Sequence, residues 1–516
     1  MRRARLLTTT ALCLSLILSC TKAEPVQGVL PTEDPNLQTL VLRQSDALLN
    51  MDPAIMTSGS DYMVAYIVYS GLVRLKPGSS EIEGDLATSW KVSSDGLTYT
   101  FALRQGVQWH KGYGGFTADD VVYSFNRVKD PATGSRYTAD FAPVTKVEAL
   151  DKHTVQISLK EGYPAFFEAV LAYRPGFIVN KKAIETLGKG YVNSPIGTGP
   201  YVFDKWVPGD RIELSANPDY YGPKPKIKTV VYRLITDDQV AEIALSKGEI
   251  DVAYFDAAEV QKRVAADSSL QVTQRPMPRT YFITLNLKRK PLDNVLVRQA
   301  IDMAIDKKAI VDFIFLGMGR VAYSPVNPNV FGFLDKKGND YNVTRAKELL
   351  AQAGYPNGIE QTLDFVTGTG SSMPQLTEAI QAQLAKVGIK TKVTTLERAL
   401  FEERRNKNNY DLLTLTSLRV DASQILVPYF NSAQAPFPNI NGYSGADAII
   451  NQAVREPDSK KREQMYFQAQ EQIMKDLPAI SVLYPVQVLA MRKGIDGAAI
   501  GLLTYPVWQM SFSRKK

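Results

Sequence analysis

The 516-residue chain has only two cysteines and two histidines. Both cysteines, Cys13 and Cys20, sit near the N-terminus, so nothing beyond residue 20 can join an intramolecular disulfide. His110 and His153 stand far apart, and there is no HExxH, CxxC or Cys/His cluster. Transition-metal catalytic sites are built from such sets, so neither a metal nor a cofactor is expected. His110 reads as a structural loop residue. The chain also lacks a GxxxxGK(S/T) loop and a GxGxxG between strand and helix, the common nucleotide-binding signatures. Gly442-Tyr443-Ser444-Gly445 misses the GxSxG spacing of a nucleophile elbow. Carboxylates are plentiful, so a glycosidase-like pair stays open at this level. Basic runs are short: Arg404-Arg405 with Lys407, and Arg514-Lys515-Lys516. A net charge of +7 is mild over this length, which reads as solvated surface rather than a nucleic-acid site.

What is present is globular: 45% hydrophobic and 22% charged residues, in a chain long enough for two to four domains. Arg2, Arg3 and Arg5 precede an apolar run from Ala11 to Leu18, too short for a membrane span. Residues 1–19 therefore read as a signal peptide, and the polar residues 20–35 as a flexible tether. Ile17-Leu18-Ser19-Cys20 resembles a bacterial lipobox, which implies that Cys20 becomes the lipidated first residue of an exported protein. An ordinary signal peptide cleaved nearby is the alternative.

Periodicity marks alternating elements. Leu40–Leu42 predicts a strand and Tyr62–Leu72 an apolar helix. Val202–Trp206, Arg211–Leu214 and Val230–Leu234 read as strands. Thr236–Ser246 reads as a helix, with Thr236 and Gln239 as a capping box, Val240, Ile243 and Ala244 on one face, and Gly248 as its stop. Near Arg279 a second unit begins. Tyr281–Leu287 is a strand; Val297 to Ile305, Ala346 to Ala353 and Leu376 to Val387 carry helical stripes; Ile389–Thr395 and Tyr410–Thr416 are strands. A long helix spans Arg462–Met474, and Ile480–Leu489 returns as a strand. Strands alternating with helices imply βα units and parallel or mixed sheets.

Residues Ala87 to Val128 form the most informative stretch. Leu97, Tyr99, Phe101 and Leu103 alternate with Thr98, Thr100 and Ala102, so one face of a strand is buried. Ser93-Ser94-Asp95-Gly96 is turn chemistry leading back to a short strand at Trp90–Val92. Thr117, three residues before Asp120, predicts a capped helix. As a string, this block resembles the signature region of the family 5 solute-binding proteins of ABC transporters, the peptide- and nickel-binding receptors. Pro195–Tyr201 (PIGTGPY) with Asn217–Tyr221 (NPDYY), Asn286, Pro291 and Val297–Ala300 (VRQA), Ala346–Pro356 and Gln383–Ile389 follow in the family's order.

The resemblance implies an α/β fold of the type II periplasmic binding protein class. It has two lobes with central mixed β-sheets, a hinge, and an inserted α+β subdomain. Lobe I would comprise 36–65, 192–276 and 492–516, the subdomain 66–191, and lobe II 277–491. It implies a non-enzymatic, monomeric receptor at the periplasm or cell surface that passes peptides or peptide-like solutes to an ABC permease and its ATPase. The family's ammonium-binding aspartate follows a Gly-Trp pair. Here the matching run is Thr416–Asp421, without that pair, so Asp421 is the candidate, with Arg419 and Leu418 beside it. Asp421 capping the next segment is the other reading. Tyr66 and Tyr69 are further candidates for the cleft, or else core residues. An opine, oligosaccharide or chelated-metal receptor, a chaperone or signalling protein of the same fold, and a periplasmic hydrolase remain as alternatives.

Overall fold

A computed structural model describes residues 38–77, 81–163, 165–366, 372–419, 421–432, 441–497 and 506–513. Cys20, the leader and the tether lie outside the described residues.

The strand Thr39–Gln44 runs parallel to Thr229–Leu234, with Leu40 opposite Val230 and Leu42 opposite Tyr232. Leu40, Leu42, Val230 and Tyr232 are buried. Val252–Phe255 pairs on its other side, and the antiparallel strands Arg211–Ala216 and Tyr201–Val207 complete this half of the sheet. A second half is ordered Ile389–Leu396, Ile359–Val366, Leu412–Leu418, Arg279–Leu285. It mixes parallel and antiparallel pairs, and its outer strand Ile389–Leu396 follows directly on the helix Met373–Ala385.

One strand belongs to both halves. Ala479–Arg492 pairs through residues 479–483 with Arg279–Leu285 and through 486–492 with Leu270–Pro276. The Met277 N–H donates to the Pro485 carbonyl (2.8 Å), so both chain crossings meet at one point. Each half has its own packed core; the first is continuous with that of a separate four-stranded antiparallel sheet. That sheet is ordered Ala87–Val92, Thr98–Leu103, Thr154–Leu159, Val144–Asp151. Tyr99 and Phe101 point inward with Val155 and Ile157, as the alternation of the sequence requires. The helix Ala118–Lys129 starts at its Thr117 cap, where the Thr117 N–H donates to Asp120 Oδ2 (2.9 Å).

The GTGPY glycines have a steric origin. A Cβ on Gly197 would stand 1.9 Å from the Val68 carbonyl oxygen, and one on Gly199 2.6 Å from that of Ile67. The end of the helix Gly59–Val68 is thus seated directly on this loop.

One expected helix differs in phase. It runs Asp238–Ser246, because Asp237 caps it by accepting from the Val240 N–H (2.9 Å), displacing the Thr236–Gln239 box. Starting there turns Ala241, Ala244 and Leu245 inward and leaves Val240 and Ile243 more than half exposed.

Candidate functional site

The strand Leu412–Leu418 ends opposite Arg279, and the chain then turns across the top of the second half. Arg419 is fixed at both ends: its N–H donates to the Pro278 carbonyl (3.1 Å) and its Nε to the Gln424 carbonyl (3.2 Å). Asp421 bridges to the backbone of Phe331 and is 2% exposed. Its Oδ1 accepts the Ser423 N–H (2.8 Å) and the Ser423 hydroxyl (2.5 Å). This is an Asx turn leading into the helix Ser423–Phe430. Beneath it the helix Ser459–Asp476 presents Arg462 and Tyr466 one turn apart. The Arg462 guanidinium lies 4.9 Å from the Phe331 ring centroid, and the buried Tyr466 ring meets Phe331 edge-on at 6.2 Å.

The four-stranded unit faces this surface. Arg455 Nη2 donates to Glu161 Oε2 (3.2 Å), and a Cβ on Gly162 would stand 3.5 Å from the Arg455 carbonyl. Tyr163, Glu168 and Asp140 line the same seam, and Tyr99, held by Phe166 and Phe167, reaches toward it.

Electrostatic coupling crosses the seam throughout. Burial raises the Asp421 carboxyl above the ordinary range, against the Ser423 bonds and the Arg462 charge. Burial also raises Glu168; the Asp421 charge pushes it further and Arg462 opposes. Asp140 is pushed up to about 6 by burial, against the Arg419 charge. Burial raises the Tyr163 phenol, and Asp140, Asp421 and Glu168 add to the effect. Four carboxylates (Asp140, Glu161, Glu168, Asp421) therefore meet three guanidiniums (Arg419, Arg455, Arg462). Glu168 Oε2 and Arg462 Nε are buried there without a hydrogen-bond partner among the described residues. Such a seam can take up a cation.

The sequence candidates separate. Asp421 and Arg419 stand in this seam; Leu418 ends the strand leading to it. Tyr69 is 2% exposed and its hydroxyl donates to the Met51 carbonyl (2.9 Å), with Tyr191 3.0 Å away. Tyr66 packs against Tyr62 and Trp508. The two tyrosines line a different recess, walled by Arg74, Asp85 and Trp508. His110 is 3% exposed; its Nε2 lies 3.0 Å from the Gly199 carbonyl, and burial lowers its pKa to about 4.

Sequence reasoning missed Glu168, Arg462 and Tyr466. Glu168 had a usable signal: it is the single charge in the apolar run Ala165–Ala172. Arg462 and Tyr466 had a weaker one, their i, i+4 spacing on the expected helix.

Comparison with known proteins adds a family and a fold. Residues 81–436 match the family described as bacterial extracellular solute-binding proteins, family 5 Middle. Heme-binding protein A of Haemophilus influenzae is 29% identical over 490 residues, covering 89% of each chain. Di/tripeptide-binding protein 1 of Pseudomonas aeruginosa is 29% identical over 474 residues, covering 86% of this chain and 88% of its own. Among solved structures, the ABC transporter-associated periplasmic binding protein DppA of Helicobacter pylori, in complex with the peptide STSA, superposes with a TM-score of 0.81. It is 29% identical, and the match covers 92% of this chain and 98% of that one.

Proposed function

The chain belongs to family 5 of the bacterial extracellular solute-binding proteins, and on that basis we propose that it captures short peptides by their free amino end and delivers them to an ABC permease. The observation carrying this reading is Asp421, 2% exposed at the seam between the two units, its carboxylate charge disfavoured by burial. A carboxylate in that position gains most from a cation brought to it. An α-ammonium supplies one, in a charge-assisted contact stronger than a neutral hydrogen bond. The peptide's main chain then pairs with backbone groups of the cleft, which tolerates varied side chains.

Binding works as a population shift. The first lobe (36–65, 192–276 and 486–516) with its inserted subdomain (66–191) rotates against the second (277–485) about the crossings at Met277–Pro278 and Pro485. Ligand contacts made from both sides favour the closed form by their differential affinity alone. The peptide leaves unchanged, since capture and release require no bond cleavage. The protein acts as a monomer, held at the membrane by a lipid on Cys20.

A thermal-shift titration tests the reading. Ser-Thr-Ser-Ala raises the melting temperature, since a ligand of the folded form adds RT ln(1 + [L]/Kd). The N-acetylated peptide gives a much smaller shift, and Asp421→Ala abolishes the difference. No shift with either peptide would sink the assignment, as would finding the peptide hydrolysed.

A further inference from the structure

We propose that the amine subsite is built from both sides of the seam, with Glu168 of the inserted subdomain as its second carboxylate and specificity-determining residue. The inference rests on the peptide-binding reading above and assigns a role to a residue outside the segment containing Asp421.

Three observations carry it. The first is position. Glu168 comes from the short helical turn Phe167–Leu171, whose neighbours Phe166 and Phe167 are locked against Tyr99, Phe101 and Trp90. Its carboxylate is thereby held at the seam by a rigid aromatic support. Facing it across the seam are Asp421 and Arg462. The second is unfinished bonding. Glu168 Oε2 is buried and has no hydrogen-bond partner among the described residues. A buried polar group without a partner is costly, and a ligand that bonds it recovers that cost. The third is charge. Asp140 faces Arg419 and Glu161 faces Arg455, leaving Glu168 and Asp421 to share Arg462. One positive charge is missing from that balance.

A primary ammonium supplies it. The group carries three donors and one charge, enough for Asp421 on one side and Glu168 on the other. A single carboxylate on one lobe binds an amine whether or not the lobes are closed. Two on opposite lobes are bridged by it only when the seam is shut. Glu168 thus makes amine recognition a condition for closure. The subsite takes a free amino terminus and discriminates against an acylated one.

The test compares Ser-Thr-Ser-Ala with N-acetyl-Ser-Thr-Ser-Ala by calorimetry, on the wild-type protein and on Glu168→Gln and Asp421→Asn. Wild type prefers the free amine by about a hundredfold, and Glu168→Gln cuts that preference by about tenfold while leaving the acetylated peptide within about twofold. Glu168→Gln that keeps the full preference, or weakens both peptides equally, overturns the inference. The melting temperature of ligand-free Glu168→Gln shows that the variant is folded, and it rises slightly as a like-charge neighbour of Asp421 is removed. If Asp421→Asn loses the preference and Glu168→Gln does not, only this inference falls. If wild-type protein binds neither peptide, or both equally, the amine reading itself falls with it.

Discussion

Arg455 donates to Glu161 at 3.2 Å, joining residues 294 positions apart across the seam between the second lobe and the inserted subdomain. Both side chains are largely solvent-exposed. An ion pair of this kind contributes only ~0–1 kcal/mol, and salt screens it. Arg455→Ala therefore leaves the unfolding free energy within about 1 kcal/mol of wild type. Its effect falls on closure: release of Ser-Thr-Ser-Ala, followed by stopped flow, accelerates about two- to fivefold. Raising salt from roughly 0.05 M to 0.5 M accelerates wild type more than the variant. Equal salt responses would remove Glu161–Arg455 from the closing contact.

A buried pair predicts the opposite balance. Arg127 grips Asp52 with two bonds, Nη1 to Oδ1 at 2.8 Å and Nη2 to Oδ2 at 2.5 Å, and Asp52 is 3% exposed. The pair ties the subdomain helix Ala118–Lys129 to the segment before the helix Gly59–Val68. Arg127→Met strands a buried carboxylate, at a cost of about 3–5 kcal/mol in urea unfolding. Adding Asp52→Asn restores part of that loss, because the uncompensated charge is gone. A double variant no better than the single one would show that packing of the arginine stem, not charge, sets the effect.

Gly197→Ala tests why the GTGPY loop needs its glycine. The added Cβ would meet the Val68 carbonyl oxygen at 1.9 Å, and that atom is backbone at a helix end. Relief requires moving the helix Gly59–Val68 or the loop, so the cost reaches at least ~3 kcal/mol, the upper end for overpacking. Gly190→Ala, where a Cβ meets nothing within 4 Å, serves as the matched control. Equal stability of the two variants, measured by denaturant midpoint, would remove the steric account of the motif.

Legibility in the sequence followed the range of the interaction. The Leu97–Leu103 alternation, the Thr117 cap and the stop at Gly248 depend on neighbours a few residues away, and the structure has them where the pattern puts them. The family and the two-lobed α/β fold were legible too, because ordered motifs run through most of the chain. The helix at Asp238 slipped in phase because Thr236 and Asp237 are both competent caps, and only the tertiary packing of Ala241 and Leu245 selects one. The seam was largely hidden. Glu161 and Arg455, or Glu168 and Arg462, are brought together by the topology, and of the four only Glu168 stands out in its own segment, as the single charge in Ala165–Ala172. Of the residues at the seam, Asp421 and Arg419 were named from the sequence, and only through resemblance.

Asp140 gives the seam a pH dependence whose sign can be worked out. Its pKa is about 6, against an ordinary 3.8, because burial disfavours the charged form more than Arg419 favours it. Tyr137 and Tyr163 are its other titratable neighbours, and both phenols are themselves raised by burial. The folded protein thus holds the Asp140 proton more tightly than the unfolded chain does. The associated stability is fully present below about pH 4 and is lost as pH rises through about 6. Partial exposure reduces the full linkage value, leaving an expected loss of ~1–2 kcal/mol. Asp140→Asn stays neutral throughout, so it isolates the contribution. Between about pH 4 and pH 7, wild type loses ~1–2 kcal/mol relative to Asp140→Asn in urea unfolding. Parallel stability curves for the two proteins would place Asp140 in an environment no different from water.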